Sequence, residues 1–226
     1  MINPARFLLL VLLVFLSFFS QAQEIVLKDG ITLSSSVKIK KGDYKLTSVN
    51  DKPVLNIKGD NITIDFNNAR LIGNTSKQTP DQFSGIAIQV VQGKNITIKN
   101  LAAKGYKVAL IARNVENLNI ENCNFSYNYR QHLNSNQEKE DLSDWMSYHH
   151  NEKDEWLRYG AAFYLRGCNN ATISNCKVTG GQNALMLMEC NDGMIYNNDF
   201  SFNSGIGIGL YRSSGNKFLY NKVLFN

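Results

Sequence analysis

The sequence predicts an all-β chain wound as a parallel solenoid, with about 22 residues to the rung. Three observations predict it. A hexapeptide of the pattern Asn-x-x-Ile-x-Asn recurs at near-constant spacing, each unit carries a second segment of alternating apolar residues, and asparagine is in large excess. There are 29 Asn against 3 Pro in 226 residues. Asn competes with helix by bonding its own backbone, so a helix bundle is excluded. Hydrophobic residues at 43% and charged residues at 19% permit a buried core and exclude disorder by composition. A formal charge of +5 is too mild for a nucleic-acid binder, which carries a dense basic face.

In chain order, residues 1–22 read as a signal peptide. Arg6 gives the positive start, residues 7–16 are unbroken apolar, and Ser20-Gln21-Ala22 supplies small residues for cleavage after Ala22. The apolar stretch reaches only Phe19, with Ser17 inside it, and is short of the roughly 18 to 20 residues of a membrane span. No Cys stands at the cleavage point for a lipid anchor. The mature chain, 23–226, carries +4 once Arg6 leaves, and is expected to be secreted or periplasmic without a membrane anchor. Residues 24–45 are irregular and amphipathic and are expected to cap the first rung.

The repeats follow. Asn95-Ile-Thr-Ile-Lys-Asn100, Asn117-Leu-Asn-Ile-Glu-Asn122, Asn170-Ala-Thr-Ile-Ser-Asn175, Asp192-Gly-Met-Ile-Tyr-Asn197 and Asn216-Lys-Phe-Leu-Tyr-Asn221 align on Ile98, Ile120, Ile173, Ile195 and Leu219. The gaps are 22, 53, 22 and 24, and 53 is one unit of 22 plus an insertion of 31. An earlier copy centres on Ile64, 34 residues before Ile98. The second segments, at 108–112, 162–165, 184–187 and 206–210, alternate with period two and read as strands with one buried face. Asn100, Asn122, Asn175, Asn197 and Asn221 share one offset, so they are expected to stack about 4.8 Å apart, share amide hydrogen bonds, and take the left-handed backbone of a corner. The last repeat stops at Asn226 directly after an apolar strand, which predicts a C-terminally truncated chain.

Through these Asn-x-x-Ile-x-Asn repeats the chain, over about residues 50–226, resembles the right-handed parallel β-helix proteins of the pectate-lyase-like superfamily. The right hand is implied by that resemblance and by the crossover rule. The superfamily includes polysaccharide lyases, glycosidases, epimerases, phage tailspikes and binding proteins, so the resemblance implies a fold and a carbohydrate setting, not one activity.

Cys123 and Cys176 share one repeat offset, and Cys168 and Cys190 share another. An exported chain with four Cys permits two disulfides. Directly stacked side chains of parallel strands do not easily meet disulfide geometry, so buried free thiols are expected.

The insertion, at about 126–159, holds His132, His149, His150, Trp145 and Trp156. Leu142, Trp145, Met146 and His149 are at helical spacing behind Asp141, which predicts a short amphipathic helix. A long ordered loop is a usual seat of function, and the alternative is a flap that only covers apolar surface. The insertion runs into the strand 161–166, where Leu110, Phe163, Leu165, Leu185 and Leu187 point inward. The outward positions are then Ile111, Arg113, Tyr164, Arg166, Met186 and Met188, followed by Tyr211 if strand alternation is counted or Arg212 if repeat spacing is counted.

Arginine grips carboxylates and sulfates bidentately, and aromatic faces stack on sugar rings, so the expected partner is an acidic polysaccharide or oligosaccharide. The resemblance implies that cations on this face neutralise a uronate carboxylate, acidifying the adjacent C5 proton for a base. Arg166 or Arg113 is the candidate neutraliser, and His149, His150 or Tyr164 the candidate proton carrier. Glu189, Tyr211, Arg212 and Trp145, with Arg113, complete the candidate binding set. The bland alternative pairs the arginines with Glu189 or with acids of the insertion.

Other chemistries find less support. Asp65, Glu121, Glu189, Asp192 and Asp199 fall at different offsets, against a calcium site. Glu189 and Asp199 lie in adjacent segments but without the Asp-Asp or Gly-His-Gly signature of polygalacturonases. His149 and His150 would diverge by about 100° on a helix, so no metal or other cofactor is predicted. The Asn-x-Thr triplets at Asn61, Asn95 and Asn170 are the repeat itself rather than glycan acceptors. The sequence thus predicts an exported carbohydrate-active β-helix that binds and cleaves or epimerises a polysaccharide, with a non-catalytic binding or structural solenoid as the alternative. A NosD-like copper-handling role is disfavoured by the lack of Met and His clusters.

Overall fold

The computed structural model describes residues 24–48, 52–74, 78–147 and 149–226, and the expected signal peptide lies outside them. The strands are β1 (Glu24–Ile25), β2 (Ile31–Leu33), β3 (Val37–Ile39), β4 (Asp43–Lys45), β5 (Pro53–Ile57), β6 (Ile62–Ile72), β7 (Ile86–Lys94) and β8 (Ile96–Lys104). They continue with β9 (Val108–Glu116), β10 (Asn119–Glu121), β11 (Ala161–Arg166), β12 (Thr172–Ser174), β13 (Leu185–Met188), β14 (Met194–Tyr196), β15 (Ile208–Tyr211) and β16 (Lys217–Leu219). Apart from β3 and β4, which share a sheet, consecutive strands alternate between two parallel sheets. One runs β1-β3-β6-β8-β10-β12-β14-β16 with β4 also on β6, the other β15-β13-β11-β9-β7-β5-β2. The parallel solenoid predicted from the repeats is therefore the fold.

Its core is a set of side-chain columns. Ile64, Ile98, Ile120, Ile173 and Ile195 are direct register partners and essentially inaccessible. Each such side chain contributes roughly 1.5–3 kcal/mol by leaving water. Phe125, Phe163 and Phe200 pack at centroid distances of 4.8 and 6.0 Å.

The fifth repeat needs a correction: Ile195 pairs with Phe218, and Leu219 pairs with Tyr196. The left-handed corner held by Asp192 one rung earlier is taken here by Gly215 (φ +69°), a residue with no Cβ penalty, so the unit is 23 residues long and the Asn signal misplaces it by one. The expected Asn column holds for Asn100, Asn122, Asn175 and Asn197 (φ +53° to +60°), with Asn197 Nδ2 donating to Asn175 Oδ1 at 3.1 Å. Its fifth member is Tyr220, not Asn221. Asn221 instead accepts from the Asn198 backbone N–H at 3.0 Å. Buried asparagines also brace rung to rung: Asn198 Oδ1 accepts from Cys176 N–H at 2.8 Å while its Nδ2 donates to the Ile173 carbonyl at 2.9 Å.

Two further expectations change. Residues 24–45 place strands in both sheets, so this stretch is part of the solenoid rather than a separate cap. The insertion contains no α-helix among the described residues, only 3-10 turns at Leu142–Asp144 and Glu155–Tyr159. Asp141 accepts from Ser143 N–H, and Asp144 accepts from the N–H groups of Asn134 and Ser135; these local bonds compete with a helical ladder. The insertion also begins later than expected, because Tyr127 is still in the rung, its N–H donating to the Thr179 carbonyl at 2.9 Å.

Candidate functional site

The outer face of the sheet containing β11 carries the residues singled out by sequence. Register places Arg113, Arg166, Met188 and Tyr211 in one column and Ile111, Tyr164, Met186 and Gly209 in the next. Strand alternation therefore governs, and Tyr211 rather than Arg212 follows Met188. Gly209 fits because a Cβ there would lie 2.8 Å from the Met186 methyl.

The insertion folds over this face and makes a second apolar cluster from Val108, Ile111, Trp156, Ala161, Tyr164, Met186, Met188 and Tyr211. Trp156 is the cover: it is buried, meets the Tyr211 ring edge-on at 5.6 Å, and donates from Nε1 to the Ser147 carbonyl at 2.8 Å. Trp145 does not share this role, being 48% exposed.

Above the cluster, the arginines and tyrosines meet groups of residues 151–154. Asp154 Oδ2 accepts from Arg113 at 2.9 Å, and Asp154 Oδ1 accepts from the Tyr164 hydroxyl at 2.7 Å. Arg166 Nε stands 2.9 Å from that same Oδ1, an ion-pair distance without hydrogen-bond alignment. It is the buried side-chain polar atom left without a hydrogen-bond partner among the described residues. The other Arg166 nitrogens donate to the carbonyls of Asn151 and Glu152. Glu152 Oε1 accepts from the Tyr211 hydroxyl and from Arg212 at 3.2 Å, so Arg212 reaches the network although it is off the column.

The electrostatics follow. Burial pushes the Asp154 carboxyl up, but the hydrogen bonds from Arg113 and Tyr164 and the charges of Arg113 and Arg166 outweigh it, and the net effect holds it below the usual carboxylate range. Burial, with the Asp154 hydrogen bond, pushes the Tyr164 phenol well above its ordinary value. The hydrogen bond to Glu152 raises Tyr211. The Glu152 carboxyl is lowered by its Tyr211 hydrogen bond, with smaller help from Arg212 and His150.

Sequence reasoning thus brings together Arg113, Tyr164, Arg166, Tyr211 and Arg212. His149 and His150 are exposed on the preceding segment, with ring centroids 6.4 Å apart. Glu189 sits half-buried at a left-handed corner (φ +54°) and makes no side-chain pair with either arginine. Asn151 is the residue missed. Asp154 and Glu152 are acids of the insertion, the partners that the alternative reading gave to the arginines, whereas Glu189 is not such a partner. The acidic run after His150 carries that signal, once the excess of cations on the facing strands is set against it.

A second region was also missed. Tyr127, Phe202 and Phe225 occupy one corner with left-handed φ of +59°, +60° and +55°, a conformation that costs an L-residue about 1–2 kcal/mol. The recurrence of Asn-x-Phe-Ser-aromatic-Asn at 198–203 and its near match at 123–128 is the sequence signal. The four cysteines are buried and free, as stacking in parallel strands led us to expect. No group of His, Cys, Asp and Glu suited to a metal ion occurs among the described residues.

Comparison with known proteins places residues 146–226 in a match to the family described as right handed beta helix region. No curated protein matches the chain. Among solved structures, a putative glycosyl hydrolase from Parabacteroides merdae is similar at 12% identity and a TM-score of 0.49, over 84% of this chain and 81% of that one. The catalytic domain of GH87 alpha-1,3-glucanase in complex with nigerose is similar at 12% identity and a TM-score of 0.46, over 90% of this chain and 40% of that one.

Proposed function

We propose that this right-handed parallel β-helix protein is exported and binds an acidic polysaccharide, with Arg113, Arg166 and Tyr164 as the cradle for a sugar carboxylate. The observation that carries the reading is the convergence of these three groups on the single carboxylate of Asp154. Arginine pairs of this kind recognise carboxylates by charge-assisted hydrogen bonds, and the chain's own Asp154 stands where a uronate would. The orphaned Arg166 Nε supports this, because Asp154 satisfies the cradle incompletely. Residues 151–155 act in this reading as an internal surrogate that a uronate displaces.

Binding is favoured over cleavage. Proton abstraction needs a base poised near the working pH, whereas Tyr164 is raised by burial and keeps its proton, donating a hydrogen bond to Asp154. His149 and His150 would serve as proton carriers only after the segment that bears them moves with Asp154. Glu189, Tyr211, Arg212 and Trp145 then border the bound chain.

The test is calorimetric titration of the mature protein and its Asp154→Asn variant with acidic and neutral polysaccharides, following unsaturated uronate absorbance and reducing ends in parallel. The expected result is selective binding of acidic chains, tightened at least fivefold by Asp154→Asn, with both product signals flat. Absence of binding by either protein overturns the reading. Growth of absorbance, or of reducing ends alone, replaces it with elimination or hydrolysis respectively.

A further inference from the structure

At one corner of the solenoid, successive rungs place Gly105, Tyr127, Gly180, Phe202 and Phe225, all with left-handed backbone. Glycine adopts this conformation freely, and an aromatic residue does so at a cost. Burial does not offset that cost, because Tyr127 is 64% and Phe202 61% exposed. Strain held at an exposed aromatic side chain is a reason to look for a ligand there. Gly180 leaves room for the Tyr127 ring to lie across the next rung, since a Cβ at that position would come within 2.9 Å of Tyr127 Cδ1.

Beside this ring lies a cavity of about 370 Å³ lined by Pro80, Phe83, Lys104, Tyr127 and Arg130 among others. A second cavity, of about 170 Å³, shares Lys104 and Tyr127 and runs on past Ser126 to Arg70. Arg70 is committed to Asp43 by a two-pronged ion pair. Lys104 and Arg130 are exposed, and neither side chain makes a hydrogen bond or a close ion pair among the described residues, although the Lys104 charge also acts on Asp43. An aromatic ring, an apolar floor of Pro80 and Phe83, and two exposed cations thus line adjoining cavities. That combination suits a sugar ring carrying negative charge: the ring stacks on the aromatic face and the anion meets the cations.

We propose that this corner is a second glycan subsite, which takes an anionic pyranose with its ring against Tyr127 and its carboxylate or sulfate between Lys104 and Arg130. The proposal rests on the polysaccharide-binding reading and adds to it a site on a different face from the Arg113–Arg166 cradle.

The experiment is calorimetric titration of the mature chain with three probes: a hexagalacturonate, a sulfated galactan hexasaccharide and a neutral xylohexaose. The variants are Tyr127→Gly, the double variant Lys104→Ala with Arg130→Ala, and Arg113→Ala for the cradle. Tyr127→Gly is expected to weaken the acidic probe at least tenfold while the melting temperature holds or rises, because glycine relieves the left-handed backbone. The double variant is expected to lose at least tenfold for the acidic probe and nothing for the neutral one. Whichever acidic probe the wild type binds identifies the anion as carboxylate or sulfate. If Tyr127→Gly and the double variant bind as the wild type does while Arg113→Ala loses binding, the subsite is overturned and the cradle stands. If Arg113→Ala binds normally and Tyr127→Gly does not, the subsite stands and the cradle falls. A wild type that binds none of the probes overturns both.

Discussion

The Tyr164 hydroxyl donates to Asp154 Oδ1 at 2.7 Å, linking a strand of the solenoid to the end of the insertion that covers it. Asp154 itself has left-handed backbone (φ +61°) and precedes the turn Glu155–Tyr159, a geometry that delivers its carboxylate downward onto Tyr164, Arg113 and Arg166. This contact couples the position of the insertion to the charge of one carboxylate. The apolar cluster beneath it supplies the remaining hold.

Acid should therefore loosen the insertion. The folded Asp154 carboxyl is held below its ordinary value, so its contribution is fully present above the unfolded carboxylate pKa of about 4 and is lost as pH falls through the lower folded value. Trp156 fluorescence followed from pH 6 downward should change below about pH 4 before far-ultraviolet dichroism does. Asp154→Asn should abolish that first step and cost about 2–3 kcal/mol of insertion docking, since Arg113 and Arg166 both lose their counter-charge. A Trp156 signal that moves only with global unfolding in the wild type would contradict the coupling.

Trp156→Ala should release the insertion without unfolding the rungs. Removing a buried tryptophan costs about 3–5 kcal/mol where the site cannot collapse, and here the loss falls on a cover that touches one face only. Trypsin should cut the variant early at Lys139, Lys153 or Arg158, while a fragment holding the last rungs persists. Identical cleavage kinetics for variant and wild type would show that other contacts fix the insertion.

The rungs were legible because each is specified by neighbours one repeat away. Ile98, Ile120, Ile173 and Ile195 recur at rung length and become register partners. Arg113 and Arg166 were legible for the same reason, through strand alternation. Asp154 was not, because its position depends on a single non-repeating loop whose turns follow Asp141 and Asp144 side-chain bonds rather than any period. The shift from Leu219 to Phe218 shows the limit within the repeat: once Gly215 replaces an Asn at the corner, counting asparagines misplaces the rung by one residue.

Asn198→Ala should be among the most damaging polar substitutions. Asn198 is 2% exposed, and its amide satisfies Cys176 N–H and the Ile173 carbonyl on the neighbouring rung. Alanine leaves the Cys176 N–H buried and unpaired, a cost of about 1–3 kcal/mol, and takes one donor from the Ile173 carbonyl. Urea unfolding should show a lowered midpoint with the slope unchanged, and Asn198→Asp should fail to rescue because a carboxylate cannot donate to the Ile173 carbonyl. A midpoint equal to that of the wild type would mean that water replaces the amide.

The cysteines give a test of stacking against cross-linking. Cys123, Cys168, Cys176 and Cys190 are all buried and free, in two same-offset pairs. Burial pushes the Cys123 thiol well above its ordinary range, reinforced by its hydrogen bond with Cys176, so little thiolate is present to react near neutral pH. Because all four thiols are buried away from reagent, iodoacetamide should leave the native protein unmodified over an hour and label all four after denaturation without reductant. Labelling that requires reductant would mean that neighbouring rungs are cross-linked, and the rung geometry at Cys123 and Cys176 would have to differ from the one described. Fast native labelling of Cys123 would instead mean that the rungs around it open far more readily than a thiol 2% exposed allows.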